Sequence, residues 1–201
     1  MRCFIAIEFD ETTKALLAKL QDSIRAAGVN GNFTHPTNFH LTMKFLGEID
    51  HRIVNRLEPF LTKVASDCKP FVLEPGNLGK FNKGNRSIIW CGIEKNDELY
   101  SLQRKLMQEM AAEFPEFPDE SGLSSHVTLV REAVINVGKQ TRSSRIIEGE
   151  GVQTSEINFE RLFEGTGKPD RVFPAEGISL MESTREDGRL KYVRKRFFKF
   201  V

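Results

Sequence analysis

From Phe39 to Leu46 the chain alternates with period two. Phe39, Leu41, Met43 and Phe45 fall on one face of a strand, and His40, Thr42, Lys44 and Leu46 on the other. Gly47 is read as its end. The alternation returns at His126-Val127-Thr128-Leu129, so each run sets an imidazole and a hydroxyl side by side over an apolar underside. Helical spacing governs three other stretches. Ala15, Leu16, Leu20, Ile24 and Ala27 follow a cap at Asp10 or Thr12, with Gly28 where a C′ glycine belongs. Ile53, Val54, Leu57, Phe60, Leu61 and Val64 form a stripe that Asp50 opens and that ends before Pro70. Leu99, Leu102, Leu106 and Met110 follow Asn96 or Asp97 and run toward Pro115.

Further strands are predicted at Cys3–Phe9, Phe71–Leu73, Ser87–Ile93 and Val152–Phe159. A terminal hairpin is predicted over Ile178–Glu182 and Leu190–Phe200, turning through Glu186-Asp187-Gly188. Pro75–Asn85 and residues 164–177 read as connections, and Val134–Glu150 as a loop with one helical turn. No glycine-rich phosphate loop follows a strand, which removes the doubly wound nucleotide-binding folds from first place. The order points instead to an internal pseudo-duplication within residues 1–201, a single bilobal domain with one His-x-Thr strand per lobe. Helices would pack outside and the strands would meet along a groove.

Composition narrows the field without deciding it. The chain has 201 residues with 39% hydrophobic and 28% charged, ordinary for a soluble globular protein. A formal net charge of +1 argues against a long nucleic-acid track but allows a local positive pocket. Cys3, Cys68 and Cys91 lack metal-ligand spacing and suit a reducing cytosol. The apolar N-terminus soon meets Glu8 and Asp10, so it does not read as a signal peptide. No segment approaches the ~20 apolar residues of a membrane span. A cytoplasmic protein is the expectation, with a monomer the simplest state.

The chemistry resides in the repeated pattern. Two imidazoles, one protonated and one neutral, can serve as general acid and base on opposite sides of a reacting phosphorus. Threonine hydroxyls suit the non-bridging oxygens, which gather charge at five-coordinate phosphorus. This scheme needs no metal, and no other cofactor is expected. A lone His-x-Thr is commoner as a structural histidine. Two copies at equivalent strand positions, using two of only four histidines, change that balance.

With these residues in view, the chain resembles the two-histidine (2H) phosphoesterase superfamily, and within it the bacterial and archaeal RNA 2′,3′-cyclic phosphodiesterases, also called 2′-5′ RNA ligases. The resemblance includes Arg2-Cys3-Phe4-Ile5-Ala6, His35-Pro36-Thr37-Asn38-Phe39 and Phe45-Leu46-Gly47-Glu48. It also takes in Ile89-Trp90-Cys91-Gly92, Arg131 and the final Ser183–Phe200 segment. Ser124-Ser125 depart from the proline more usual before the second histidine, and Glu164–Gly177 is longer than usual. The resemblance implies an α+β bilobal fold, two antiparallel sheets around a V-shaped cleft with helices outside. It implies hydrolysis of RNA 2′,3′-cyclic phosphate ends to a 2′-phosphate, with reversible ATP-independent 2′-5′ ligation as the same step run backwards. In that scheme His40 is the proton donor and His126 the acceptor. Thr42, Thr128 and Arg131 bind the phosphate, and the partner is an RNA end (tRNA fragments included) or a cyclic nucleotide. Spacing alone leaves open which histidine is acid and which base.

Two alternatives stand beside this one. One is an RNA-end binding module without turnover. The other is the same chemistry on a different cyclic phosphate or a 2′-5′ oligonucleotide. His35 and His51 read as exposed boundary residues, and Phe81 and Trp90 as core rather than base-stacking platforms. Lys191, Arg194, Lys195, Arg196 and Lys199 read as a solvated edge strand.

Overall fold

A computed structural model describes residues 1–117, 124–135 and 167–201. Among these residues, strand β1 (Arg2–Glu8) is the centre of the first sheet, because its apolar run is buried along both faces. It pairs antiparallel with β3 (His40–Glu48) on one side and with β9 (Gly177–Glu186) on the other. β10 (Arg189–Lys199) forms the edge beyond β9, so the order is β10-β9-β1-β3. The second sheet orders β2 (Val29–Phe33), β7 (His126–Ile135), β6 (Arg86–Ile93) and β5 (Pro75–Lys83), again antiparallel. A ribbon joins β4 (Phe71–Leu73) to β8 (Phe173–Ala175).

Three helices, α1 (Glu11–Ala26), α2 (His51–Ser66) and α3 (Asp97–Glu113), start as their sequences suggest. Asp10, Asp50 and Asn96 each accept the backbone N–H three residues on, at 2.8, 3.0 and 2.7 Å. Such a cap is worth ~1 kcal/mol. Helix α1 packs beside β2 and β7, and α2 beside β9 and β10. One continuous core, from Leu17 and Leu57 to Leu129 and Leu180, joins both sheets. Each fully buried aliphatic or aromatic side chain in it contributes roughly 1.5–3 kcal/mol. No helix among the described residues is long and apolar enough to cross a membrane.

The mixed α+β architecture with antiparallel sheets agrees with expectation, but several local features differ. The buried face of α1 is Thr13, Leu17, Leu20, Gln21 and Ile24, leaving Ala15 and Ala27 exposed. Gln21 offsets its burial by donating to the Thr34 and Leu129 carbonyls at 2.9 and 2.6 Å. Gly47 lies inside β3, at φ +71°, rather than at its end. A bulge at Met43 reverses the strand's phase, so Lys44 and Leu46 are buried and Phe45 is 52% exposed. β2, β5 and β8 occupy stretches without hydrophobic alternation, two of them read as connections. Tertiary contact makes them strands. A Cβ on Gly31 of β2 would stand 2.8 Å from the Arg131 carbonyl oxygen of β7. β7 also continues to Ile135, past the point where the pattern weakens. The predicted strand Val152–Phe159 and most of the loop Val134–Glu150 lie outside the described residues.

Candidate functional site

His40 opens β3 in the first sheet and His126 opens β7 in the second. The two sheets do not follow the two halves of the chain. β2 from the first half joins the second sheet, and the C-terminal hairpin joins the first. That interlacing brings the two motif strands together.

Each histidine is held by the same local device. His40 Nδ1–H donates to the Asn38 carbonyl oxygen at 2.7 Å, and His126 Nδ1–H to the Ser124 carbonyl oxygen at 2.6 Å. A carbonyl can only accept, so the neutral rings carry their lone pair on Nε2. His40 Nε2 lies 3.1 Å from Thr42 Oγ1. Asn38 ends a single 3-10 turn (Pro36–Asn38) and is itself buried. Its side chain donates to the Leu190 carbonyl at 3.0 Å and accepts from the Tyr192 N–H at 3.1 Å, tying β10 to the segment before His40.

The surroundings of the two rings differ. Phe4 and Tyr192 flank His40, with ring centroids 4.8 and 5.0 Å away and Tyr192 edge-on. Glu8 is its register partner on β1. The Glu8 carboxylate holds Arg194 Nε at 2.6 Å and Nη2 at 3.2 Å, and accepts the Ser179 hydroxyl. His126 instead meets Phe81 edge-on at 5.1 Å and Trp90 at 5.9 Å. Its register partner is Gly92, and Trp90 lies across Gly79, where a Cβ would come within 2.1 Å of the indole.

Burial pushes the His40 pKa down to about 4, with the Arg131 and His126 charges adding to that pull. The Asn38 carbonyl and the Glu8 carboxylate oppose it. Burial also lowers His126, helped by Arg131 and opposed by the Ser124 carbonyl. Both rings are therefore neutral near pH 7. Arg131 acts on both, which places its guanidinium within electrostatic reach of the pair.

A cavity of about 670 Å³ is walled by His40 from one sheet and by Thr128 and Arg131 from the other. A neighbouring cavity of about 890 Å³ shares His40 and Arg131. Of the predicted site residues, His40, Thr128 and Arg131 line this space, Thr42 touches His40, and His126 stands with Phe81 and Trp90 on the second sheet. His35 lines the first cavity, where its Nδ1 meets Thr37 Oγ1 at 2.8 Å, while His51 starts α2 in solvent. Among the described residues no cluster of three or more His, Cys, Asp or Glu is placed to hold a metal ion. Burial raises the Cys3 and Cys91 thiols to about 11 and about 12, so neither is a ready nucleophile.

The chain is similar to known proteins in sequence and in fold. The family model described as LigT like Phosphoesterase matches residues 7–90, which include the first motif. The RNA 2′,3′-cyclic phosphodiesterase of Methanothermobacter thermautotrophicus is 27% identical over 87% of this chain and 92% of its own. Its counterpart from Methanocaldococcus jannaschii is 27% identical over 85% and 94%. Over these residues the chain is similar to the LigT-like phosphoesterases. The fold also matches a crystal structure from Thermus thermophilus, with a TM-score of 0.72, 20% identity, and 100% and 98% of the two chains covered. Escherichia coli LigT in its apo form gives 0.69 at 19% identity, over 99% and 96%.

The residues without a signal in the sequence are the supports of His40. Tyr192 and Glu8 reach it through strand pairing, in the first case from the far end of the chain. Asn38 was visible only within a resembling segment. Its buried amide could not be inferred without β10. The basic residues of β10 are mostly engaged in ion pairs: Lys191–Glu186, Arg194–Glu8, Lys195–Glu182 and Arg196–Glu58.

Proposed function

We propose that the cleft hydrolyses the 2′,3′-cyclic phosphate at an RNA 3′ end to a 2′-phosphate, using imidazoles rather than a metal ion as acid and base. Water attacks phosphorus as His126 Nε2 accepts its proton. The 3′ oxygen leaves and takes a proton from His40 Nε2. Thr42, Thr128 and Arg131 hold the non-bridging oxygens as their charge grows. The observation that carries this reading is the pair of His-Thr strands from different sheets, each ring locked through Nδ1 with Nε2 left for chemistry.

The assignment of His40 as donor follows the family resemblance; Glu8 favours its charged form against the burial that lowers it. A bound phosphate offsets Arg131 and raises both rings toward neutral pH. The relatives named RNA 2′,3′-cyclic phosphodiesterase support the substrate, and a structure titled E. coli LigT complexed with 3′-AMP supports a nucleotide in this fold. The reverse step, with an RNA 5′-hydroxyl in place of water, would give a 2′-5′ bond without ATP. The chain would work as a single bilobal cytoplasmic monomer, a setting its three free cysteines suit.

Product analysis on an oligonucleotide with a 2′,3′-cyclic phosphate tests this in EDTA. A 2′-phosphate product, lost in His40→Ala and His126→Ala, is expected. Tight binding with no product would leave an RNA-end binding module instead.

A further inference from the structure

The first cavity holds more positive charge than one phosphate requires. Arg131, Arg185 and Arg189 all line it, and no Asp or Glu does. Elsewhere on the surface, cations pair with acids, as in Arg25–Asp22, Arg56–Glu116 and Arg86–Glu132. Among the described residues Arg131 and Arg189 have no carboxylate partner, and Arg185 Nη1 donates only to the Gly188 carbonyl, at 3.0 Å. The overall charge of +1 makes such a one-signed wall a local feature rather than a consequence of composition.

The position of these arginines is built rather than incidental. Arg185 and Arg189 flank the β9–β10 turn, whose Asp187 and Gly188 adopt φ of +49° and +76°. The Asn38 amide pins Leu190 and Tyr192, so the hairpin tip is anchored to the residue whose own carbonyl orients His40. Leu190, 39% exposed, and the Tyr192 ring offer an apolar surface between the hairpin arginines and the imidazole. A phosphate, a nucleoside and a second phosphate match that succession.

Resting on the hydrolytic reading of the same cleft, we infer that Arg185 and Arg189 form a second phosphate subsite. It takes the phosphate on the 5′ side of the terminal nucleoside, so the substrate is an oligonucleotide end rather than a free cyclic mononucleotide. Guanidinium forks suit a phosphodiester oxygen pair, and a hydrogen bond to a charged group is enough for discrimination of this kind.

The test compares kcat/KM for three substrates: a cyclic mononucleotide, the same carrying a 5′-phosphate, and a dinucleotide ending in the cyclic phosphate. Wild type should prefer the last two by roughly tenfold or more, one charge-assisted contact being worth about that factor. In an Arg185→Ala, Arg189→Ala variant that ratio should collapse toward one. The Arg185→Lys, Arg189→Lys variant, which keeps the charges, should retain part of it. A preference for the dinucleotide alone would assign the contact to the internucleotide diester, still within the subsite. A wild-type ratio near one, or an unchanged ratio in the alanine variant, would overturn the inference. If none of the three is hydrolysed, titration with a nucleoside 2′-phosphate, with and without a 5′-phosphate, separates the two ideas. Tighter binding of the 5′-phosphorylated ligand would keep the subsite while the hydrolytic reading falls; equal binding would remove both.

Discussion

The two His-Thr strands are nearly the same sequence in different company. At His40 the ring is enclosed between Phe4 and Tyr192, with Thr42 at its reactive nitrogen and the Glu8–Arg194 pair beside it on β1. At His126 the ring rests against Phe81 and Trp90, over a glycine on the neighbouring strand. Both are turned the same way by a backbone carbonyl two residues earlier. The local pattern therefore sets the tautomer, and the cross-strand neighbours set the surroundings of each ring. The division into acid and base proposed above would rest on that difference in surroundings.

The largest effect expected is from the histidines themselves. Each alanine substitution should lower turnover of a cyclic-phosphate substrate by about 10²–10⁴-fold, the usual worth of a positioned acid or base. The comparison sharpens with a nitrophenyl phosphodiester, whose leaving group needs no proton. Most of the His40→Ala defect should vanish on that substrate while the His126→Ala defect persists. Equal rescue of both variants would erase the division of labour.

A smaller effect is expected at Asn38. Asn38→Ala removes two hydrogen bonds that tie β10 to the segment before His40 and leaves the Leu190 carbonyl and Tyr192 N–H without their partner. Stability should fall by roughly 1–3 kcal/mol in urea titration, the cost of orphaned buried groups. The kcat should fall with it, because the carbonyl that orients His40 loosens. Full activity in a destabilised variant would show that the carbonyl holds without its amide.

Acid should report His40 more weakly. Burial disfavours its charged form, so its pKa lies below the ordinary 6.5, at about 4, in the folded protein. The unfolded chain takes the proton first, so this contribution is complete above 6.5 and is lost as pH falls toward about 4. Between those limits wild type should lose up to about 3 kcal/mol more than His40→Gln, at 1.36 kcal/mol per unit of separation. Parallel pH–stability curves would mean that the enclosed ring is as free to charge as a surface histidine.

The smallest change concerns the floor under His126. The Trp90 indole N–H is buried and, among the described residues, has no hydrogen-bond partner. Trp90→Phe gives up area but removes that orphan, so stability should change by less than about 1 kcal/mol. A several-fold loss of activity in a stable Trp90→Phe protein would show that the indole does more than support the ring.

How much of this could be read from the chain follows from the range of each interaction. The helix caps and the two motif strands were legible because their signals span a few residues, as at Asp10, Asp50 and Asn96. β2 and β5 were not, since Val29–Phe33 and Pro75–Lys83 are strands only through partners elsewhere. The bulge at Met43 is equally invisible, because it exists only as a mismatch of register between β1 and β3. Arg131 could be flagged but not placed. Its role depends on a cavity whose other wall comes from His40 and Arg185, far away along the chain in either direction.

The sequence by itself determined that this protein carries two imidazole–hydroxyl pairs on strands, because side-chain alternation is a local property of an extended chain. Only the tertiary structure decided that His40 and Thr128 wall one cavity, that one ring is enclosed beside a carboxylate while the other meets Phe81 and Trp90, and that the β9–β10 hairpin brings its arginines to the same cavity. Charge, burial and proximity are sums over neighbours in space, and strand pairing chooses those neighbours.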